Sequence, residues 1–330
     1  MCDIVGNAIL IVGAPRSGTT WLAKIFDSHP DVLYRHEPDE LFPPTLPIRD
    51  SMRVWIGQRD PRTAAKAPFF RKSWQSGPAH LVRTSLAYAA KAAGRIGIPA
   101  WQVPDLGHIA HARAVIKSVR LRGQLGDFAR SCPDGRALLV LRNPFGQIDS
   151  MIRGARDHRF ELSQSSGAMP LDADRAMAFA ARHGVSPAAF QHISPAAQFA
   201  WSWREFNETA MASIENQPNA MVVVHKDLCF RPIEKSREVM DFTGLLWAAQ
   251  TEHFLAESSH HQGFEEYYDI RRDTASVPDR WRRSLSLGDQ QRVRAVVRES
   301  PLMRYWPESM DADRAVHAVG RPQLTSSLSG

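Results

Sequence analysis

Cysteine is scarce: Cys2, Cys132 and Cys229 are the only three in 330 residues, and none belongs to a CxxC pair. An odd number at such wide spacing leaves no disulfide framework and no cysteine-built zinc site. Long apolar runs are missing as well. No stretch of 18 or more apolar residues occurs, so none reads as a membrane-spanning helix. The first residues, MCDIVGNAILIVGAPRSG, have no basic segment before their short apolar run and no cleavage-like sequence after it. These absences predict a soluble, cytoplasmic chain without leader or anchor. The sequence also has no HExxH and no Cys/His cluster, and no metal is expected. His108, His111 and the pair His260 and His261 are the only close histidine groupings among 13, and they read as ordinary polar or packing residues.

Hydrophobic residues make up 43% and charged residues 23% of the chain, enough for a sizeable core and far from disordered, collagen-like or coiled-coil compositions. Lys and Arg exceed Asp and Glu, 41 to 35, for a net charge of +6. That surplus favours an anionic partner. It does not imply nucleic acid, for which no recognition motif or interleaved basic-aromatic patch is present.

The apolar run Ala8–Val12 is followed at once by Gly13-Ala14-Pro15-Arg16-Ser17-Gly18, then by apolar residues at 21, 22, 25 and 26. This order predicts a strand, a Gly-rich turn and a helix. Further short continuous runs at 114–116, 137–141 and 221–224 suit strands buried on both faces. The predicted fold class is therefore α/β, a three-layer P-loop-like arrangement with a central, mainly parallel sheet flanked by helices and extended by helical cap insertions.

A Gly-rich turn before a helix aims backbone N–H groups and the positive end of the helix dipole at one point, which suits a phosphate or sulfate. Gly13 and Gly18 have the GxxxxG spacing of nucleotide loops, but the Lys-Ser/Thr that would hold β/γ-phosphates and magnesium is replaced by Thr19-Thr20. The cation lies inside the loop instead, as Arg16, whose planar guanidinium can grip an oxyanion with two bonds.

The string Pro15-Arg16-Ser17-Gly18-Thr19-Thr20-Trp21-Leu22 resembles the 5′-phosphosulfate motif of the sulfotransferases that use 3′-phosphoadenosine 5′-phosphosulfate (PAPS). Phe26 through Pro38 is similar to a stretch of the carbohydrate and related bacterial members, which have a Glu before Pro where Glu37 stands. Arg142 directly after the 137–141 run, with Ser150 eight residues later, has the form of the family's 3′-phosphate motif, and 114–120 is similar to the strand that precedes it. Val224-His225-Lys226-Asp227-Leu228 occupies the place of the family's YEDL segment, with His225 and Lys226 departing from it.

The resemblance implies a PAPS-dependent sulfotransferase that moves a sulfuryl group to an acceptor hydroxyl of a sugar, glycolipid or glycosylated small molecule, releasing 3′,5′-adenosine bisphosphate (PAP). It implies donor-binding roles for Arg16, Ser17, Gly18, Thr19, Thr20, Trp21, Arg142 and Ser150, with Glu37 as base and Arg16 stabilising developing charge. His36 is a neighbouring rival base. Lys117 and Arg120, flanking a short strand, fit a site role or a solvated surface, and Trp281 fits a lid over the nucleotide or a solvated basic helix. Trp201, Trp203, Phe199 and Phe206 read as core. A P-loop kinase or NTPase, and a sulfotransferase acting on a non-sugar alcohol, are the alternatives. One domain over 1–310 is expected, with acceptor-side insertions at about 43–105 and 155–200 and a loose tail over 311–330; a helical cap with a mobile loop is expected between Arg153 and Pro195.

Overall fold

The computed structural model describes residues 5–57, 112–156, 172–259 and 277–310. Most of the 43–105 segment, residues 157–171 of the 155–200 segment, the tail over 311–330 and His108, His111, His260 and His261 lie outside the described residues. Among the described residues no helix is long and apolar enough to cross a membrane, and no group of three or more His, Cys, Asp and Glu converges.

Five strands, β1 (Ile9–Val12), β2 (Val32–His36), β3 (Arg113–Ser118), β4 (Arg136–Leu141) and β5 (Ala220–Val224), form one sheet in the order β2-β3-β1-β4-β5. Every pairing is parallel, as the non-alternating apolar runs predict. The helices that place the site are α1 (Thr19–Asp27), α2 (Pro38–Leu41), α3 (Ile48–Gly57), α4 (Gln124–Ser131), α5 (Pro144–Arg156), α6 (Ala173–Arg182), α7 (Pro187–His192), α8 (Pro195–Ser213), α9 (His225–Phe230), α10 (Pro232–Thr243), α11 (Ala249–Ser259), α12 (Trp281–Ser284) and α13 (Leu287–Val297).

The period-2 alternation of a strand divides β1 between two cores. Leu10 and Val12 join Ile116, Leu139 and Leu141 under α4, α5 and α8, while Ile9 and Ile11 join Val115, Leu138 and Val140 under α1 and the α10–α11 helices. All four β1 side chains are fully buried, and each contributes about 1.5–3 kcal/mol of hydrophobic stabilisation. Phe199, Trp201, Trp203 and Phe206 are buried on α8, as their spacing predicts.

Local sequence explains the helix starts. Asn143 accepts a bond from the Phe145 N–H (3.0 Å) and Pro144 occupies the first turn, so α5 begins immediately beyond β4. Ser194 caps α8 through the Ala197 N–H, again with proline in the first turn. Between Arg153 and Pro195, the described part is helical, as expected of a cap: α6 and α7 lie there and close a small cluster of Phe179, Phe190 and Trp201.

The α4 helix meets α8 at Gly126, where an added Cβ would stand 2.0 Å from the Ser213 carbonyl oxygen. Because backbone cannot step aside as a flexible side chain can, Gly126→Ala is expected to destabilise the protein by about 1–3 kcal/mol. A shift of the urea-unfolding midpoint to lower concentration would show it; an unchanged midpoint would mean that the α4–α8 contact is not tight in solution.

Candidate active site

Parallel sheets bind ligands beyond the carboxyl ends of their strands, where chain direction reverses across the sheet. Here the chain leaves β1 towards β2 and leaves β4 towards β5, so the reversal lies between β1 and β4. The Gly13–Gly18 loop and the start of α5 flank that point. Three hydrogen bonds tie them: Arg142 Nη1 donates to the Arg16 carbonyl (2.9 Å), Gln147 Nε2 to the Pro15 carbonyl (2.8 Å), and Arg16 Nε to Ser150 Oγ (3.1 Å). Arg16 thus forms one constellation with Arg142 and Ser150, more than a hundred residues further along the chain. Gln147 was not foreseen. Its signal was present in the sequence, because Gln147 and Ser150 stand three apart on an otherwise largely apolar helix face.

The loop closes tightly onto α1. Gly18 has φ of 98°, and a Cβ there would lie 2.2 Å from the His225 ring at the end of β5, so both backbone conformation and space require glycine. The α1 terminus has no side-chain cap and no acidic residue in its first turn. Its leading N–H groups are therefore available to an anion, and no carboxylate opposes the helix dipole. Ser17 is completely buried, and its Oγ has no hydrogen-bond partner among the described residues. Thr19 is buried beneath the loop and Thr20 is half-buried. An uncapped helix end with a buried hydroxyl and two arginines fits a phosphosulfate chemically.

Trp21, expected to contact the donor, turns its side chain inward. Its indole packs in the core and donates to Ser258 Oγ at 3.3 Å. Trp281 is neither a lid nor part of a solvated surface: it is 1% exposed and stacks on Phe145 at 4.5 Å, because its short helix packs against α5.

Glu37 follows the last residue of β2, and its N–H donates to the Lys117 carbonyl (2.8 Å), carrying the β2–β3 ladder one residue further. Its φ of 46° places a non-glycine residue in the left-handed region, as does φ of 66° at Arg16. Such conformations cost of order 1–3 kcal/mol and cluster at functional sites. The Glu37 carboxylate is hydrogen-bonded to Lys117, with Arg120 at 3.9 Å and His36 Nε2 at 3.9 Å. Burial pushes its pKa up, but Lys117, His36 and Arg120 together outweigh burial and hold it below the usual carboxylate range. Lys117, 2% exposed, is therefore buried against Glu37 and not solvated. Arg120 also pairs with Glu40 at 3.2 Å. His36 is fixed by Tyr34, whose hydroxyl lies 2.7 Å from Nδ1.

Beside Glu37, Asp39 accepts from Ser118 Oγ (2.8 Å), and Ser118 in turn accepts from the Arg120 and Leu121 N–H groups. This joins α2 to the turn after β3. Burial raises the Asp39 pKa despite the Ser118 bond. On the opposite flank His225 sits 3.5 Å from Cys229 Sγ, and Lys226 pairs with Glu308 at 2.5 Å.

Comparison with known proteins places this geometry in context. The profile described as the sulfotransferase family matches residues 8–249. No curated protein sequence matches. Among solved structures, the sulfotransferase domain from the curacin biosynthetic pathway is 13% identical, with a TM-score of 0.48 over 87% of this chain and 96% of that one. A mouse sulfotransferase complexed with PAP is 14% identical, with a TM-score of 0.44 over 92% and 89%. A sulfotransferase from Mycobacterium avium is 13% identical, with a TM-score of 0.44 over 91% and 76%.

The buried pair supports a stability prediction. Lys117→Met leaves Glu37 enclosed without its partner and should cost about 3 kcal/mol at neutral pH. A carboxylate whose pKa is lowered by folding adds stability above its unfolded pKa of about 4.3 and loses it as pH falls through the folded value. The gap between wild type and variant should therefore narrow in acid. Denaturant titrations at pH 7 and pH 4 would check this, and a gap that is equal at both would contradict the pairing.

Proposed function

This chain belongs to the sulfotransferase family, and from that premise we propose that it transfers a sulfuryl group from PAPS to an acceptor hydroxyl, of a sugar, a glycolipid or a glycosylated small molecule. The observation that carries the donor side is the convergence of the uncapped α1 terminus with Arg16, Arg142 and Ser150 at the reversal point of the sheet. The kinase or NTPase reading lacks the loop lysine, since Thr19 stands in its place.

In this reading the N–H groups of Arg16 through Thr20, with the Thr19 and Thr20 hydroxyls, hold the 5′-phosphate. Arg142 and Ser150 hold the 3′-phosphate. The acceptor oxygen attacks sulfur as the bond from sulfur to the bridging oxygen breaks, and PAP leaves with the electron pair. Arg16 stabilises the charge that grows on that bridging oxygen, and Glu37 takes the acceptor proton. Fixed cations supply the charge stabilisation, so the reading requires no metal. A carboxylate held below its usual pKa is wholly ionised at neutral pH and ready to accept a proton, and release from Lys117 would raise its basicity. The acceptor side of the domain is assigned to the segments at 43–105 and 155–200.

Three measurements test the reading. Calorimetry should show PAP binding without metal and more tightly than ATP with magnesium; Arg142→Ala should weaken it about 10–100-fold, the worth of a charge-assisted hydrogen bond. Equal binding by the variant, or tighter ATP binding, would contradict the donor assignment. Glu37→Gln should lower kcat by about 10²–10⁴ with PAP affinity retained, and unchanged turnover in both Arg16→Ala and Glu37→Ala would refute the mechanism. The acid limb of kcat/KM should lie below pH ~4.3, because Glu37 is ionised above that.

A further inference from the structure

The phosphate loop has a hollow on each side. One, at the ends of β4 and β5, is lined by Arg142, Asn143, His225 and Lys226 and adjoins the residues assigned to the donor. The other lies on the β3 side, between the loop residues Ala14 and Pro15, the turn after β3, and helices α5 and α8; it encloses about 580 Å³ including its open mouth. Arg120 lines this second hollow and reaches to 3.9 Å from Glu37 Oε2. The hollow therefore adjoins the loop directly and Glu37 through Arg120, the two places an acceptor must meet.

Its described walls are largely apolar, with Ile148 and Met151 from α5 and Phe199, Trp203 and Phe206 from α8. Three buried polar side chains, Arg122, Gln147 and Glu205, break that surface. Arg122, 2% exposed, donates through Nε to Glu205 (3.0 Å) and through Nη1 to Asp172 (2.9 Å), but its Nη2 has no hydrogen-bond partner among the described residues. Gln147, 4% exposed, uses Nε2 on the Pro15 carbonyl and leaves Oε1 without a partner. A buried donor and a buried acceptor left unmade each cost about 1–3 kcal/mol. A ligand bearing hydroxyl groups satisfies both, since one hydroxyl oxygen can accept from Arg122 and another hydroxyl can donate to Gln147.

Charge decides against an anion. The four charged side chains lining the hollow are two arginines and two carboxylates; Arg122 is paired with Glu205 and Asp172, and Arg120 with Glu40 at 3.2 Å and, at the longer distance of 3.9 Å, with Glu37, its Nη1 making no hydrogen bond among the described residues. A negatively charged acceptor would meet two arginines already faced by four carboxylates, Glu37, Glu40, Glu205 and Asp172. We propose that this hollow is the acceptor site and that it takes a neutral amphipathic alcohol, polyhydroxylated at the end facing Arg122 and Gln147 and apolar where it meets Ile148, Met151, Phe199, Trp203 and Phe206. The assignment rests on the donor reading given above.

The test uses the full chain saturated with PAP and three probes: n-octyl β-glucoside, its anionic counterpart n-octyl β-glucuronide, and glucose, followed by calorimetry. The glucoside should bind at least about 10-fold more tightly than either of the others. Ser202, half-buried on the α8 wall, provides a variant that removes no contact of the site; Ser202→Trp should abolish glucoside binding with PAP binding unchanged. Glucuronide binding as tight as the glucoside, glucose binding as tight, or undiminished binding to a Ser202→Trp protein that still takes PAP would each overturn the proposal. If Ser202→Trp no longer takes PAP, the ranking of the three probes on wild type decides by itself. Failure of the wild-type chain to bind PAP would bring down the donor reading first, and this assignment with it.

Discussion

Everything in the site depends on β1 being the central strand of a parallel sheet, buried on both faces and paired with β3 and β4. The pairing fixes Val12 opposite Ser118 on one side and Leu139 on the other. Three strand ends therefore open at nearly one level, and the residues just beyond them must share one small volume. The Gly13–Gly18 loop, Arg120 and Arg142 meet because the register leaves them nowhere else to go. The outer pairings extend the same row, with His36 opposite Lys117 and Leu141 opposite Val224, which brings Glu37 and His225 to its two ends.

Charge along that row is unevenly distributed, and the unevenness gives each part its character. At the loop two arginines face an uncapped helix end with no nearby acidic residue in the first turn, an arrangement that favours an anion. At the β2–β3 end the cations are matched by carboxylates: Lys117 by Glu37, and Arg120 by Glu37 and Glu40. Desolvation alone would favour a protonated Glu37; the buried ammonium reverses that preference. The surroundings of Glu37 and of the Gly13–Gly18 loop thus differ in charge balance, although neighbouring strand ends supply both.

Backbone strain marks the same places. Among the described residues, four that are not glycine have positive φ: Arg16, Glu37, Asp172 and Asn216. Two of them are the residues assigned to charge stabilisation and proton removal, and a third lines the hollow assigned to the acceptor. A strained turn persists when the surrounding structure over-determines it. Here the Lys117 carbonyl holds the Glu37 N–H, and Arg142 and Gln147 hold the Arg16 and Pro15 carbonyls.

Much of this was legible before any coordinates. Uninterrupted apolar runs specify doubly buried strands, and a glycine-bracketed turn before an amphipathic run specifies the loop and α1, because both signals are local and set by side-chain period and backbone freedom. That Arg142 directly follows β4, with Ser150 eight residues later on α5, was visible within one strand-helix unit. What the sequence could not display were contacts between segments far apart in the chain. Lys117 fits a site role or a solvated strand end equally until β3 is laid beside β2, and Trp281 fits a lid or a surface aromatic amid arginines until α12 is set against Phe145. Gln147 acquires a role only when α5 is brought against the phosphate loop. Composition, period and turn chemistry thus determined the elements and the Gly-rich loop. Strand order and register decided which cation neutralises which carboxylate and which polar atoms are left unsatisfied, because those depend on distances of a few ångströms between residues that the sequence separates by dozens of positions.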